Sequence, residues 1–380
     1  MNFTGFLTIF VKDMLYRLIL NIRHFLYNKG LKKSYSAEVP TICVGNVTVG
    51  GTGKTPHTEM ILQMLLDSDE WGAKNIAVLS RGYKRNSRGF QQVTREGSAE
   101  MFGDEPLQIK RKFPSVTVAV DKDRIEGCRF LCHPELLQKK KNIWNRNFPP
   151  ADIIVLDDAY QYRRLKADRN IVLIDWNRPV FDDKLLPFGR LRDLPSRVDD
   201  ADVIIVTKCP PELDDWEKTK FAFRLGLGDF ATSTCRGTNA KGRSQLLFFT
   251  AVEYCDKQGV YSTSDPRYFY SKKLVMVTGI AKDTALRNYL CDYYRILKRF
   301  SYPDHHRYTK SDVREILAAV KAEPTCSIAT TEKDAQRILD YKGMPQTIMA
   351  RMFYVPIKVT FLSFEERRLF FDFLRETRQS

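Results

Sequence analysis

The stretch Val44-Gly45-Asn46-Val47-Thr48-Val49-Gly50-Gly51-Thr52-Gly53-Lys54-Thr55-Pro56 constrains this chain more than any other. It follows a short apolar strand, Pro40 to Val44, and runs into a helical pattern that begins near His57. A glycine-rich turn between strand and helix, ending in Gly-Lys-Thr, gathers backbone N–H groups at the positive end of a helix. Those donors and one lysine converge on phosphate oxygens. Lys54 is placed to reach β- and γ-phosphates and Thr55 to offer its hydroxyl to Mg²⁺. Thr48, Val49, Gly50, Gly51, Thr52, Gly53, Lys54 and Thr55 therefore form a candidate nucleotide cradle. The strict pattern has glycine where this chain has Thr48, so the loop is a variant P-loop.

A second signal fits the first. Ala151-Asp152-Ile153-Ile154-Val155-Leu156-Asp157-Asp158 is a four-residue apolar run ending in two acids. That is how a buried parallel strand delivers carboxylate to Mg²⁺ at its C-terminal edge. Further apolar runs, Asn75–Ser80, Val116–Val120, Ile171–Ile174 and Val203–Val206, alternate with helical segments, which implies a doubly wound parallel sheet. From about 220 to 270 the pattern loosens into short alternating runs, read as antiparallel ribbon. A second strand and helix series begins at Leu274 and continues through Ile296–Phe300, Ser327–Thr331 and Phe353–Val359. The expected organisation is an N-terminal helix (1–35), a P-loop domain (36–225), a β-ribbon linker (226–272) and a smaller C-terminal α/β domain (273–380).

The N-terminal helix carries Leu7, Phe10, Met14, Leu18, Ile22 and Phe25 at three- and four-residue spacing, with Lys12, Arg17, Arg23 and Lys29 opposed by Asp13 alone. Charges interrupt every window, so no run reaches the ~18 apolar residues of a spanning helix. A signal peptide fits poorly, since the positive charges do not precede the apolar core. A helix docked on the protein and a helix lying in a membrane interface both remain, and the broad Phe- and Leu-rich face favours the interface. The formal net charge of +15 asks for anionic partners. The basic residues are dispersed, with no aromatic-plus-basic platform, so nucleic acid is not expected. Eight scattered cysteines without a C-x-x-C pair suit a reducing compartment.

Nucleotide binding does not say where the phosphate goes. Thr207-Lys208-Cys209-Pro210 lacks the Asn and Asp of a guanine-reading motif. Transfer to an alcohol needs a base for the hydroxyl proton. Asp104 and Glu105 in Gly103-Asp104-Glu105-Pro106, and Asp304-His305-His306, are candidates, though Asp104 could equally be a helix N-cap.

These blocks carry a resemblance. Together with Ser80-Arg81-Gly82-Tyr83, Leu156 to Gln161, Leu186 to Arg192, Thr278 to Ala281 and Thr331 to Ala335, they run in order from about 40 to 340. In this the chain resembles the tetraacyldisaccharide 4′-kinases, the lipid A 4′-kinases of Gram-negative bacteria, in which Thr48 is ordinary. The resemblance implies transfer of the ATP γ-phosphate to the 4′-hydroxyl of a tetraacylated glucosamine disaccharide 1-phosphate, at the cytoplasmic face of the inner membrane; a monomer is expected. It implies that Asp104 acts with His305 as the base, and that Lys54 serves catalysis. Thr55, Asp157, Asp158 and Glu105 would surround Mg²⁺, and Asn46, Arg124 and Arg192 would meet substrate or phosphate. One departure stands out: members often carry Gly-Phe-Gln-His after the paired acids, where this chain has Ala159-Tyr160-Gln161-Tyr162. Tyrosine, with a pKa of ~10, cannot replace histidine as a base near neutral pH.

Overall fold

The computed structural model describes residues 3–377, with the side chains of residues 3–13 and of Lys139 outside the description. The chain begins α1 (Phe3–Asn28), β1 (Thr41–Gly45), α2 (Lys54–Leu66), β2 (Ile76–Ser80) and β3 (Gln91–Gln92). Next come α3 (Ala99–Phe102), α4 (Asp104–Lys112), β4 (Thr117–Val120), α5 (Arg124–Cys132), β5 (Ile153–Asp157) and β6 (Arg169–Asp175). Then follow β7 (Val203–Thr207), α6 (Asp215–Arg224), β8 (Gly228–Ala231), β9 (Arg236–Thr238), β10 (Ser244–Tyr254) and β11 (Gln258–Gly259). The second half holds α7 (Pro266–Phe269), β12 (Lys273–Thr278), α8 (Thr284–Tyr293), β13 (Arg295–Ser301), α9 (Lys310–Ala322) and β14 (Ser327–Thr331). It closes with α10 (Glu332–Asp340), α11 (Gln346–Met349), β15 (Met352–Val355), β16 (Ile357–Phe361) and α12 (Phe364–Arg375).

The large sheet runs β3-β4-β2-β5-β1-β6-β7-β10-β9-β8, with β16 added beside β10. From β4 to β10 every neighbouring pair is parallel. The central strands β1, β2, β4, β5 and β7 are mainly apolar because both faces are covered. Along β1, Ile42 and Val44 belong to one core cluster and Cys43 to the other; along β5, Ile153 and Val155 part from Ile154 and Leu156 in the same way. Period-two alternation thus feeds two cores from one strand. Each fully buried Ile or Leu contributes about 2 kcal/mol to that covering. The connection leaving β1 runs to β2 on one side of the sheet and that leaving its neighbour β6 runs to β7 on the other, so a switch point opens at the ends of β1 and β6. Ligands collect at such a switch point.

The smaller sheet, β11-β15-β14-β12-β13, has its own core around Val275, Val277, Ile328 and Ile338. Sheet membership corrects the expected divisions in two places. The supposed linker supplies β8, β9 and β10, and β10 pairs parallel to β7 through Leu246–Phe249 inside the large sheet. The expected strand Phe353–Val359 is two strands in two sheets, broken at Pro356. Proline has no N–H to give a ladder, and the chain leaves the small sheet there. β16 then pairs with β10, and Phe370 and Leu374 of α12 enter the core beside α2. The C-terminal segment therefore belongs to the P-loop half. All eight cysteines are free thiols.

α1 docks on the P-loop half by one face. Leu20 is buried, the Tyr16 hydroxyl donates to the Arg192 carbonyl at 2.8 Å, and His24 Nε2 meets Asp193 at 2.6 Å. The other face exposes Met14, Leu15, Leu18, Ile19, Ile22 and Phe25, each more than half accessible. These include four of the six stripe positions read from spacing; Leu7 and Phe10 lie outside the described side chains. Among the described residues no helix is long and apolar enough to cross a membrane.

Candidate active site

The loop after β1 is shaped by glycine where the backbone demands it. Gly50 and Gly53 have φ of 107° and 85°, a region that glycine enters without steric cost. Asn46, fully buried, braces the loop from beneath, its amide donating to Thr52 Oγ1 at 2.7 Å and Thr48 Oγ1 at 3.3 Å. Thr48 thus supplies a side-chain acceptor, which glycine could not. From the far side Thr207 Oγ1 donates to the Thr52 carbonyl at 3.0 Å, and Lys208 joins the Gly51 carbonyl at 2.5 Å to Asp175 at 2.6 Å. α2 starts at Lys54 itself, earlier than expected, and His57 ties its first turn to β10 through Thr250 at 3.0 Å.

Lys54 Nζ lies 3.5 Å from Asn46 Oδ1 and 3.8 Å from Asp158 Oδ2. Arg192 grips both carboxylate oxygens of Asp158 and reaches Asn46 Oδ1 at 2.5 Å. Asp158, at a left-handed φ of 51°, is thus turned to two cations. Burial works against its charge, but Lys54 and Arg192 prevail and hold its carboxyl below the usual range. Asp157 is different. It accepts from Ser80 Oγ at 3.0 Å and Thr58 Oγ1 at 3.4 Å, and no lysine or arginine among the described residues pairs with it. Burial, then the charges of Asp158 and Glu105, push its carboxyl up to about 6. Thr55 is half-buried in the first turn of α2. Arg124 is buried, with its guanidinium on the Asp121 and Lys122 carbonyls at 3.2 and 3.0 Å.

The second half of the site comes from the other sheet. Asp104 is the first residue of α4 and Gly103 is the cap, so the N-cap alternative for Asp104 does not hold. Its buried carboxylate is spent across the domain boundary: Oδ2 meets His305 Nδ1 at 2.8 Å, and Arg337 of α10 holds both oxygens, with Nε to Oδ1 at 2.9 Å. Burial opposes the charge, yet the His305 and Arg337 hydrogen bonds hold Asp104 down at about 2. His305 Nδ1 also lies 2.9 Å from an Arg337 guanidinium nitrogen, and its Nε2 lies 3.5 Å from Asp304 Oδ2. Beside it Lys333 pairs with Glu105 at 2.9 Å and lies 3.6 Å from Asp304.

Asp104, Glu105 and His305 lie close enough together to hold a cation, but Arg337 and Lys333 already neutralise the two acids. The oxygen-only pair Asp157–Asp158 is the better seat for a hard divalent ion.

Sequence reasoning assigned no role to Arg337 or Lys333, which sit in or just after Thr331 to Ala335. It also missed Asp334, which accepts from the Gly279 amide at 2.9 Å and the Thr331 hydroxyl at 2.7 Å, and so orders two motif blocks at once. The available signal was the charged run that opens α10.

The profile of the Tetraacyldisaccharide-1-P 4′-kinase family matches residues 6–376. The chain belongs to that family. It is similar to the tetraacyldisaccharide 4′-kinase of Flavobacterium johnsoniae, with 36% identity over 354 residues covering 93% of this chain and 92% of that one. The corresponding kinase of Phocaeicola vulgatus is 33% identical over 355 residues, covering 92% of this chain and 88% of its own. In fold the chain resembles the crystal structure of LpxK from Aquifex aeolicus in complex with ATP, at a TM-score of 0.68 and 24% identity, over 97% of this chain and 98% of that one.

In this tetraacyldisaccharide 4′-kinase family member, the departure at Tyr162 has a local explanation. Its hydroxyl donates to Asp123 at 2.8 Å, and Asp123 caps α5 by accepting from the Ile125 and Glu126 amides. Burial and that carboxylate push the phenol up to about 12. Tyr162 therefore braces the start of α5.

Proposed function

We propose that this kinase transfers the γ-phosphate of ATP to the 4′-hydroxyl of an acylated glucosamine disaccharide 1-phosphate, working at a membrane surface. The observation that carries the reading is the Asp104–His305 contact, which joins a residue of the large-sheet half to one of the small-sheet half, with the ring's other nitrogen 3.5 Å from Asp304. The loop of residues 48–55 would cradle the phosphates with its amides, and Lys54 and Arg192 would balance charge spread over the transferring group. Asp157, Asp158 and Thr55 would hold Mg²⁺, with Glu105, expected there from the family resemblance, paired to Lys333 instead. Asp157 supports this, being a buried carboxylate beside another acid with no basic side chain paired to it among the described residues. A bound Mg²⁺ would supply Lewis-acid neutralisation of phosphate oxygens.

His305 Nε2 takes the proton of the acceptor hydroxyl, while Asp104 fixes the ring and stabilises the imidazolium that forms. Arg337 keeps Asp104 ionised and aimed. Apposition of the two halves excludes water and favours transfer over hydrolysis. Arg124 and Arg192 would meet phosphate, with Asn46 holding the loop. The exposed stripe Met14, Leu18, Ile22 and Phe25, with Arg17, Lys29, Lys32 and Lys33 nearby, suits an interfacial helix over anionic lipid on the cytoplasmic face of the inner membrane.

The test is incubation with [γ-³²P]ATP and an acylated disaccharide 1-phosphate in detergent. Label is expected on the lipid. Release of label only as inorganic phosphate, stimulated by nucleic acid, would overturn the reading.

A further inference from the structure

Two adjacent histidines close the loop between β13 and α9, and the proposed chemistry uses only His305. The other faces its own domain. The His306 ring stacks on Tyr302 at 4.3 Å between centroids with 6° between planes. Its Nε2 lies 2.9 Å from Asp312 Oδ2. Tyr308 closes the cluster edge-on, 5.3 Å from His306 and 5.6 Å from Tyr302.

Each partner of His306 is itself fixed. The Tyr302 amide donates to the Thr278 carbonyl at 2.7 Å, which pins the start of the loop to the end of β12. Asp312 Oδ2 also accepts from the Thr309 amide at 2.7 Å and hydroxyl at 2.8 Å, completing the capping box of α9. The His306 ring is therefore the bridge between the two anchored ends of the loop. Its backbone N–H closes a turn onto the Pro303 carbonyl at 3.1 Å.

Between those anchors His305 is held at a φ of 65°. A non-glycine residue is sterically disfavoured in that region and persists only where its surroundings over-determine it. The unfavourable turn has a geometric result: it sends the His305 side chain to Asp104, the opposite way from its neighbour. Were the loop to relax to negative φ, the ring would leave Asp104.

We infer that His306 is a positioning residue, whose stacking on Tyr302 and bond to Asp312 hold the left-handed turn that presents His305 to Asp104 and to the acceptor hydroxyl. The inference rests on the reading of His305 as the base. His306 itself touches no reacting group.

The experiment is a double-variant cycle on the full-length kinase in detergent micelles, with ATP and an acylated disaccharide 1-phosphate. His306→Ala is expected to lower kcat about 10- to 100-fold, the scale of a misplaced catalytic group. KM for both substrates should stay within about threefold. His306→Phe keeps the stack and His306→Gln keeps a donor, so each is expected to recover part of the loss. On a His305→Ala background, replacing His306 should cost less than about twofold more, because there is nothing left to aim. If His306→Ala does not fold, His306→Phe carries the same comparison. The inference fails if the two losses multiply, or if KM rises in step with the fall in kcat. Full turnover in His305→Ala would instead remove the base reading, and the positioning role with it.

Discussion

Two pairs of adjacent acids face this site, and the chain treats them in opposite ways. Asp157–Asp158 ends a central strand of the large sheet; its outer member is gripped by Lys54 and Arg192, and among the described residues the side chains that bond its inner member are hydroxyls. Asp104–Glu105 opens α4, and both members take cations from α10 of the other domain. In the first pair both cations sit on the outer acid and the inner one has no ion pair among the described residues, whereas in the second each acid has a cation of its own from α10. An acid left wanting suits a site that must receive a metal and phosphates. An acid already satisfied suits one that must orient a base.

The sharpest break in this comparison is the loss of charge from each pair in turn. Asp104→Asn should lower turnover by about 10²–10⁴ while KM for ATP changes little, since it disables the base and leaves the cradle intact. Lys54→Ala should lower it by at least ~10², the cost of removing one donor to a developing charge. Lys54→Ala should still bind anionic vesicles through α1. Steady-state kinetics and vesicle co-sedimentation check both. A rise in KM for ATP matching the fall in Asp104→Asn turnover would put Asp104 on the nucleotide side and dissolve the contrast.

Stability should then move in opposite directions for the same change. The Asp104 carboxyl falls from 3.8 to about 2 on folding. Its stabilisation is therefore present above 3.8 and is lost as pH falls through about 2. Asp104→Asn forfeits it, roughly 2 kcal/mol at neutral pH, and also strips Arg337 of its main partner. The Asp157 carboxyl rises from 3.8 to about 6. Between those values the native state holds the extra proton, so stability falls as pH rises through about 6 and the deficit persists above it. Asp157→Asn should relieve that deficit, making the unliganded protein more stable by up to roughly 3 kcal/mol while less active. Denaturant titrations at pH 5 and pH 8 read the sign directly. Added Mg·ATP should raise the Tm of the wild type more than that of Asp157→Asn.

A smaller effect separates geometry from charge in the second pair. Arg337→Lys keeps the cation but loses the two-pronged hold on Asp104, so kcat should fall about tenfold with the fold intact. Arg337→Met leaves a buried carboxylate without it and should destabilise by about 3–5 kcal/mol. Thermal melts beside kcat values distinguish the two.

The pairs also differ in how far the sequence revealed them. Asp157 and Asp158 were legible because a buried strand and its end are contiguous, and the loop they serve precedes them in one unbroken motif. Asp104 and His305 stand 201 residues apart, and spacing alone left each ambiguous until the family resemblance joined them. Arg337, 233 residues from Asp104, left no local trace, because a guanidinium that closes an interface reads like any helix-surface arginine. The fold repeats this pattern. Apolar runs reveal the parallel strands, and the alternating runs reveal the antiparallel ribbon of β8, β9 and β10, but not that β10 also pairs parallel to β7, since the two are far apart in the chain and only the sheet unites them. Pro356 was the one local mark of the crossing between sheets, and it went unread.

The smallest expected effect concerns Tyr162, which follows the first pair in the chain yet serves neither. Its hydroxyl is engaged by Asp123, and its ring lies 5.7 Å from the Arg124 guanidinium. Tyr162→Phe removes one hydrogen bond to a charged acceptor on a half-buried side chain, which costs about 1–2 kcal/mol of stability. Turnover should stay within about threefold, because the Asp157, Asp158, Asp104 and His305 contacts are untouched. Tyr162→His, which installs the residue that family members often carry, should do no better than Tyr162→Phe at neutral pH if the position only braces α5. A gain of tenfold or more in Tyr162→His would mean that the imidazole acts in the reaction, and that this chain runs the transfer one group short.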